Sequence, residues 1–222
     1  MKKIKYLLLS FESLQMNSFD VPKFRGYLAH KYSNFDLIHN HLENGRFRYS
    51  YPSIQFKVIG KTPAIVALEE GIDVIKKVFL EIDEIMISGK SHRSTEKSII
   101  IKSADLGECE EVNEYSFISP WMALNQDNHA EYMRLNRIER EEFLERILIG
   151  NIKSICKGFG YWIPDAGSIR VRSRLNSVAR NFKDLRMECF AGSFRTNFRL
   201  PDYLGLGKQT ARGFGCVIKE GI

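Results

Sequence analysis

The sequence predicts an α+β fold laid out as two successive halves in which strands alternate with helices. Three observations carry that prediction. Residues 67–80 place Leu68, Ile72, Ile75 and Phe79 on one face at three- and four-residue spacing, the signature of an amphipathic helix. Residues 136–157 do the same over a longer stretch, with Ile138, Phe143, Ile147, Leu148, Ile152 and Ile155 forming one apolar stripe. Around each helix lie extended, β-branched and aromatic segments bounded by turn residues. With 222 residues, 44% of them hydrophobic and 27% charged, the chain has material for a genuine core.

Residues 2–12 read as the first strand, and 22–32 as a short helix entered through Pro22. Residues 46–59 are extended and interrupted at Pro52, since proline breaks a ladder or marks an edge. After the helix at 67–80, residues 84–90 and 97–103 form a strand pair joined by the polar turn Lys90-Ser91-His92-Arg93-Ser94. The order is β-α-β-β-α-β, the split arrangement of ferredoxin-like domains. The polar stretch Asp105 to Asn113 is the expected boundary and divides the chain into domains 1–108 and 109–222. Beyond it, 114–122 are extended and the helix 136–157 is stopped by Gly158-Phe159-Gly160. Strands at 169–179 and 185–199 flank a turn at 181–184, and 216–219 closes the sheet. The second half is a less regular copy of the first.

No stretch approaches the roughly 18 apolar residues of a membrane span. The start, Met1-Lys2-Lys3 followed by Tyr6 to Ser10, has too short an apolar run for a secretion signal and meets Glu12 at once, so a cytoplasmic protein is expected. Cys109, Cys156, Cys189 and Cys216 stand singly, with no metal or redox spacing, and read as reduced, buried thiols.

The net charge is +6, but it is unevenly spread. From Lys153 onward 13 Lys and Arg face 5 Asp and Glu, a net of +8, which leaves −2 for the first 152 residues. Positive charge concentrated in the last third is the footprint of a phosphate-binding surface. Arg170, Arg172 and Arg174 alternate with Val171 and Ser173, placing three guanidiniums on one strand face. Arginine forks suit phosphate oxygens, and the competing reading is a solvated strand face. Phe159, Tyr161 and Trp162 offer stacking surfaces, although aromatics at this spacing usually belong to a core.

The most specific local pattern is Gly205-Leu206-Gly207-Lys208-Gln209-Thr210-Ala211-Arg212-Gly213-Phe214-Gly215. Two Gly-hydrophobic-Gly units demand close backbone approach or positive φ. Leu206 and Phe214 can anchor a loop whose amides face a phosphodiester, with Lys208 and Arg212 as counter-charge. It is no Walker loop, because Asp202 stands where the first glycine belongs and Gln209 where Ser or Thr would bind magnesium. A glycine-rich terminal hairpin is the bland alternative.

Leu37-Ile38-His39-Asn40-His41, followed by Arg48-Tyr49-Ser50-Tyr51-Pro52, is the second pattern. In extended backbone His39 and His41 project the same way and can meet one substrate. Imidazole, with a pKa near 6.5, suits proton transfer near neutrality. The pair also fits a metal site or a structural role, although Glu43 is the only carboxylate close behind it. His30, His92 and His129 read as surface or helix residues.

The glycine-rich tail resembles the C-terminal loop of the CRISPR-associated repeat-processing endoribonucleases, the Cas six family. Val21-Pro22-Lys23-Phe24-Arg25-Gly26, the His-Asn-His segment and Ser119-Pro120-Trp121-Met122-Ala123-Leu124-Asn125 resemble one branch of it, so the likeness spans nearly the whole length. The resemblance implies two tandem ferredoxin-like domains and an enzyme that cleaves CRISPR repeat RNA with neither metal nor cofactor. It places His39 and His41 at the catalytic centre, one as general base or acid. Tyr49 orients or protonates, Tyr51 being the alternative, and Lys208 or Arg46 meets the phosphorane charge. Gly205, Gly207, Lys208, Arg212, Gly213 and Gly215, with Arg170, Arg172 and Arg174, would bind the RNA. The expected products are a 2′,3′-cyclic phosphate and a 5′-hydroxyl. Other CRISPR-associated proteins and a homodimer are further partners under this reading. The rivals are a non-catalytic repeat-binding subunit, which has no need of the histidines, and a general single-strand RNA module, whose ribonucleoprotein signature is missing.

Overall fold

The computed structural model describes residues 1–39, 51–87, 89–165, 167–182 and 185–221, and of His39 and Ile87 the backbone alone. The described chain forms two compact units: residues 4–104 with 210–213, and residues 1–3, 105–209 and 214–222. Neither is a contiguous stretch of sequence.

The N-terminal unit runs through β1 (Lys2–Ser10), α1 (Val21–Lys31), the short α2 (Asp36–His39), β2 (Ile54–Ile59), β3 (Thr62–Leu68) and α3 (Glu70–Val78). The hairpin β4 (Glu84–Ile87) and β5 (Lys90–Arg93) precede β6 (Ser98–Phe117), whose first residues belong here. The strand order is β2-β3-β1-β6, with β3 antiparallel to both its neighbours. Leu7, Leu9, Phe56, Ile65 and Ala67 line one face and bury themselves against Phe24 and Leu28 of α1 and Ile72 and Ile75 of α3. Phe24 meets Phe11 and Phe56 edge-on at 5.8 and 5.2 Å, the favoured geometry for ring quadrupoles. The alternate positions Tyr6, Leu8, Ala64, Val66 and Leu68 are buried too, which explains why β1 and β3 read as continuous apolar runs.

Two expectations for this half are corrected. Its second hairpin strand is β3, not a piece of 46–59, and the helix begins at Glu70 rather than at Ala67. Lys90–Arg93 is a strand, not a turn: β4 pairs β5 from Glu84↔Arg93 to Ile87↔Lys90, and 97–103 lies within β6 beside β1. All four residues of β5 are exposed, so no burial pattern marks them as a strand.

In the C-terminal unit β6 continues through the polar stretch Asp105–Asn113, with a register shift between Glu108 and Asn113. There follow α4 (Gln126–Arg134), α5 (Arg137–Gly158), β7 (Val171–Phe182), β8 (Leu185–Arg199) and β9 (Val217–Lys219). The strand order is β9-β6-β8-β7. In positional terms both units therefore run second, third, first, fourth, the ferredoxin-like order. The helix α5 is set by a capping box: Asn136 Oδ1 accepts from Glu139 N–H (3.1 Å) and Glu139 Oε2 from Asn136 N–H (2.8 Å). Of the expected stripe, Phe143, Leu148, Ile152 and Ile155 are buried and Ile147 half-buried. Ile138, in the first turn, is 70% exposed, and Leu144 and Cys156 complete the buried face. Between β8 and β9, where the N-terminal unit has α3, this unit has no helix but the glycine-rich segment.

Candidate functional site

Residues 32–35 and the first residues of α2 separate α1 from the His-Asn-His segment, and His39 is helical rather than in the expected extended backbone. His39 ends α2, and β2 begins at Ile54. His41, Tyr49 and Arg46 lie outside the described residues, as does the side chain of His39. Tyr51 is described and half-buried. The same unit includes residues 210–213.

Those four residues line the free edge of β2. Phe56 N–H donates to Ala211 O (3.3 Å), and Phe56 and Arg212 form a parallel bridge. The next residue, Lys57, is fully buried, and its Nζ donates to Thr210 O (3.2 Å). A buried ammonium is expensive unless it is hydrogen-bonded, so this contact ties the segment to a costly group. Gly213 lies where a Cβ would stand 3.2 Å from Val21 Cγ1, so α1 and the segment are in close approach. Arg25 of α1 is half-buried and held below the usual arginine value, first by desolvation and second by the charge of Arg212. Two guanidiniums close enough to disfavour one another make a site that an anion relieves. Sequence reasoning flagged Arg212 but missed Arg25 and Lys57; Arg25 was visible only as part of the Val21–Gly26 resemblance.

The rest of the glycine-rich segment is built on its own unit. Leu206 N–H donates to Gly215 O (2.8 Å), Lys208 N–H to Met122 O (3.0 Å) and Gly215 N–H to Pro120 O (2.9 Å). Phe214 N–H reaches Gln209 O (3.4 Å), Cys216 N–H reaches Ser119 Oγ (2.9 Å), and Gly205 bridges Cys216. The expectation that the loop's amides face a phosphodiester fails for these groups, because their protons are directed into the protein. The glycines serve close approach instead. A Cβ on Gly207 would stand 2.5 Å from Trp121 Nε1 and 2.7 Å from Met122 O. At Gly215, φ is +63° and a Cβ would collide with the Leu206 carbonyl. What the segment presents outward is Lys208, exposed, its ammonium lowered by partial desolvation against the pull of Asp127.

Arg170, Arg172 and Arg174 are all exposed, while Val171 between them is buried. Only the last two lie within β7; Arg170 precedes it and its N–H donates to Asn197 Oδ1 (2.8 Å). Arg172 is bound to Glu145 of α5 at 2.8 Å, and Glu145 also accepts from Ser173 N–H at 2.8 Å, covering the edge of β7. Arg195 and Arg199 are likewise paired, with Glu114 (2.8 Å) and Glu111 (2.7 Å). The basic face is therefore partly neutralised by carboxylates distant in sequence. His30 and His92 are exposed, and His129 lies 3.4 Å from Glu188.

Residues 2–105 match the family description "Cas6b N-terminal domain", and residues 107–220 match "Cas6b C-terminal domain". The chain belongs to the Cas6b family. Among solved structures, this Cas6b chain is similar to one titled "Crystal structure of Cas6b", at 38% identity and a TM-score of 0.94, over 99% of this chain and 100% of that one. A second, "Crystal structure of CRISPR RNA processing endoribonuclease Cas6b", is 34% identical with a TM-score of 0.81 over the same shares. An uncharacterized protein of Methanocaldococcus jannaschii is 34% identical over 143 residues, 64% of this chain and 97% of that protein. The expected family and two-unit ferredoxin-like architecture are thereby borne out. Among the described residues no helix is long and apolar enough to cross a membrane.

Proposed function

We propose that this chain is a cytoplasmic endoribonuclease that cleaves CRISPR precursor RNA within its repeats, by acid–base chemistry on the RNA's own 2′-hydroxyl and without a metal. The observation that carries the reading is the bridge that sets Arg212 on the edge of β2, with the adjacent Gly213 against Val21 of α1, in the unit that also includes residues 39 and 41. One histidine takes the 2′-hydroxyl proton and the other protonates the departing 5′-oxygen. Tyr49 orients or supplies a proton. The oxygen attacks phosphorus, the P–O5′ bond breaks, and the ends are a 2′,3′-cyclic phosphate and a 5′-hydroxyl. Arg212 and Arg25 stabilise charge on the phosphorane, where fixed donors are most effective. Lys57 is a positioning residue: its bond to Thr210 O fixes the segment that carries Arg212. Lys208 and the exposed Arg170 and Arg174 hold RNA phosphates outside the reacting bond, as does Arg172 through its free face. Gly205, Gly207, Gly213 and Gly215 act by shaping the segment.

The test is cleavage of end-labelled repeat RNA in EDTA. His39→Ala and His41→Ala are expected to slow cleavage about 10²–10⁴-fold while binding persists, and Arg212→Ala about 10²-fold. Downstream products should accept a 5′-phosphate from polynucleotide kinase without prior phosphatase. Cleavage abolished by EDTA would make the histidines metal ligands. Tight binding with no cleavage would make the chain a non-catalytic repeat-binding subunit.

A further inference from the structure

The C-terminal end of α5 carries a feature that the cleavage site does not use. Gly160 adopts φ +61°, its N–H donates to Lys157 O (3.1 Å), and Tyr161 N–H donates to Cys156 O (2.8 Å). These are the two bonds of a Schellman stop, which fixes the direction in which the chain leaves the helix. Tyr161 is thereby turned inward onto Phe198, ring centroids 6.2 Å apart. Trp162 is turned outward and is 84% exposed, more than any other large apolar side chain described. Beside it lies a shallow depression of about 560 Å³ lined by Trp162, Ile163, Pro164, Lys153 and Lys157 among others.

The charged side chains that line this platform among the described residues are ammoniums. Lys153 and Lys157 are on its wall, and Lys2, whose Nζ donates to Phe159 O, has its ammonium 3.9 Å from where a side chain on Gly160 would stand. Among the described residues no carboxylate lines the depression, and Oδ1 of neighbouring, exposed Asp165 accepts from Gly167 N–H (2.8 Å). An exposed indole costs free energy in water, and ammoniums around it repel a basic partner, including a second copy of this surface. Their combination is complementary to a nucleobase joined to phosphates, because every base has a face that stacks and a backbone that attracts cations. A paired stem hides its base faces, so the complementary form is an unpaired one.

We infer that Trp162, with Lys153 and Lys157, is a stacking platform for an unpaired stretch of RNA, separate from the histidine segment. The inference rests on the reading of the chain as an RNA enzyme and adds a second RNA contact in the other unit. It takes bases without sequence preference.

Intrinsic fluorescence tests it. The chain has two tryptophans; Trp121 is fully buried and Trp162 exposed, so Trp121 reports folding while Trp162 reports the platform. Titration with oligouridylate should quench the exposed emission saturably, and Trp162→Ala should abolish that quench with Trp121 emission intact. By anisotropy of labelled oligouridylate, Trp162→Ala should weaken binding about 5- to 150-fold. Lys153→Ala with Lys157→Ala should lower the slope of log affinity against log salt by roughly 1.4. Wild type that cleaves repeat RNA but shows no quench, with Trp162→Ala binding oligouridylate as tightly, overturns the platform alone. Trp162→Ala that converts a dimer to a monomer in sedimentation, with oligouridylate binding unchanged, assigns the surface to a second copy and overturns it too. Quenching without any cleavage of repeat RNA keeps the platform and removes the nuclease reading; neither quenching nor cleavage overturns both.

Discussion

The two units share one strand order and differ in what fills the second crossover: α3 in the N-terminal unit, the glycine-rich segment in the C-terminal one. The helix satisfies its own backbone and asks of the sheet only an apolar face, which Ile72 and Ile75 supply. The segment has no internal ladder, so its amides are bonded one at a time to Met122, Pro120, Ser119 and its own turns. It gains in exchange a backbone that can leave its own unit's core and put Thr210–Gly213 on the edge of β2. The same topology thus serves packing in one place and delivery of a charged side chain in the other.

The sharpest way to break this comparison is one methyl group in each crossover. Gly215→Ala places a Cβ on the Leu206 carbonyl at positive φ, so both space and conformation are lost; about 3–5 kcal/mol of stability should go in denaturant unfolding. Gly71→Ala in α3 meets Ser53 O at 2.6 Å but at helical φ, and recovers about 1 kcal/mol of helix propensity, for a net loss of about 1–2 kcal/mol. Equal losses would mean the two crossovers are constrained alike.

Alkaline titration sharpens it next. Burial pushes the Cys156 thiol from 9.0 up to about 12 and that of Cys189 up to about 11, both in the C-terminal unit. The folded state then holds protons that the unfolded chain releases, so stability is complete below pH 9 and falls as pH rises toward 11–12. The slope is up to ~1.4 kcal/mol per pH unit for each thiol. Both tryptophans report the C-terminal unit. Trp121 emission should therefore change at a lower melting temperature than far-UV circular dichroism above that pH, and coincident transitions would show one cooperative body.

The smallest effect is at the first crossovers. Asn136→Ala removes the capping box of α5 and should cost about 1 kcal/mol in the same unfolding assay; α1, entered through Pro22 with no side-chain cap bond, offers no equivalent.

Much of this was legible because the signals are local. Asn136 and Glu139 three residues apart, the apolar stripe behind them and Gly158–Gly160 bound α5 within a residue. The alternation at Arg172 and Arg174 marked β7. What escaped was non-local. Thr62–Leu68 shows no alternation, since both faces are buried, and it contains Pro63, a residue central strands usually exclude, which here sits opposite Val58. Lys90–Arg93 has no buried face to advertise. At the site, Arg212 was readable from its glycine-rich setting, but Lys57 sits at an ordinary strand position, and only Thr210, 153 residues away, explains its burial. Likewise Arg172 looked available for phosphate until Glu145, distant in the chain, was placed beside it.

That 153-residue separation between Lys57 and Thr210 sets the timing of biosynthesis. A ribosome making about 5–20 residues per second delivers β2 roughly 8–30 s before the segment that covers its edge. Throughout that interval the nascent chain carries an uncovered strand edge, the kind of surface that recruits wrong partners. Arg212 emerges with the same late segment, so a chain interrupted before it carries His39 and His41 without it.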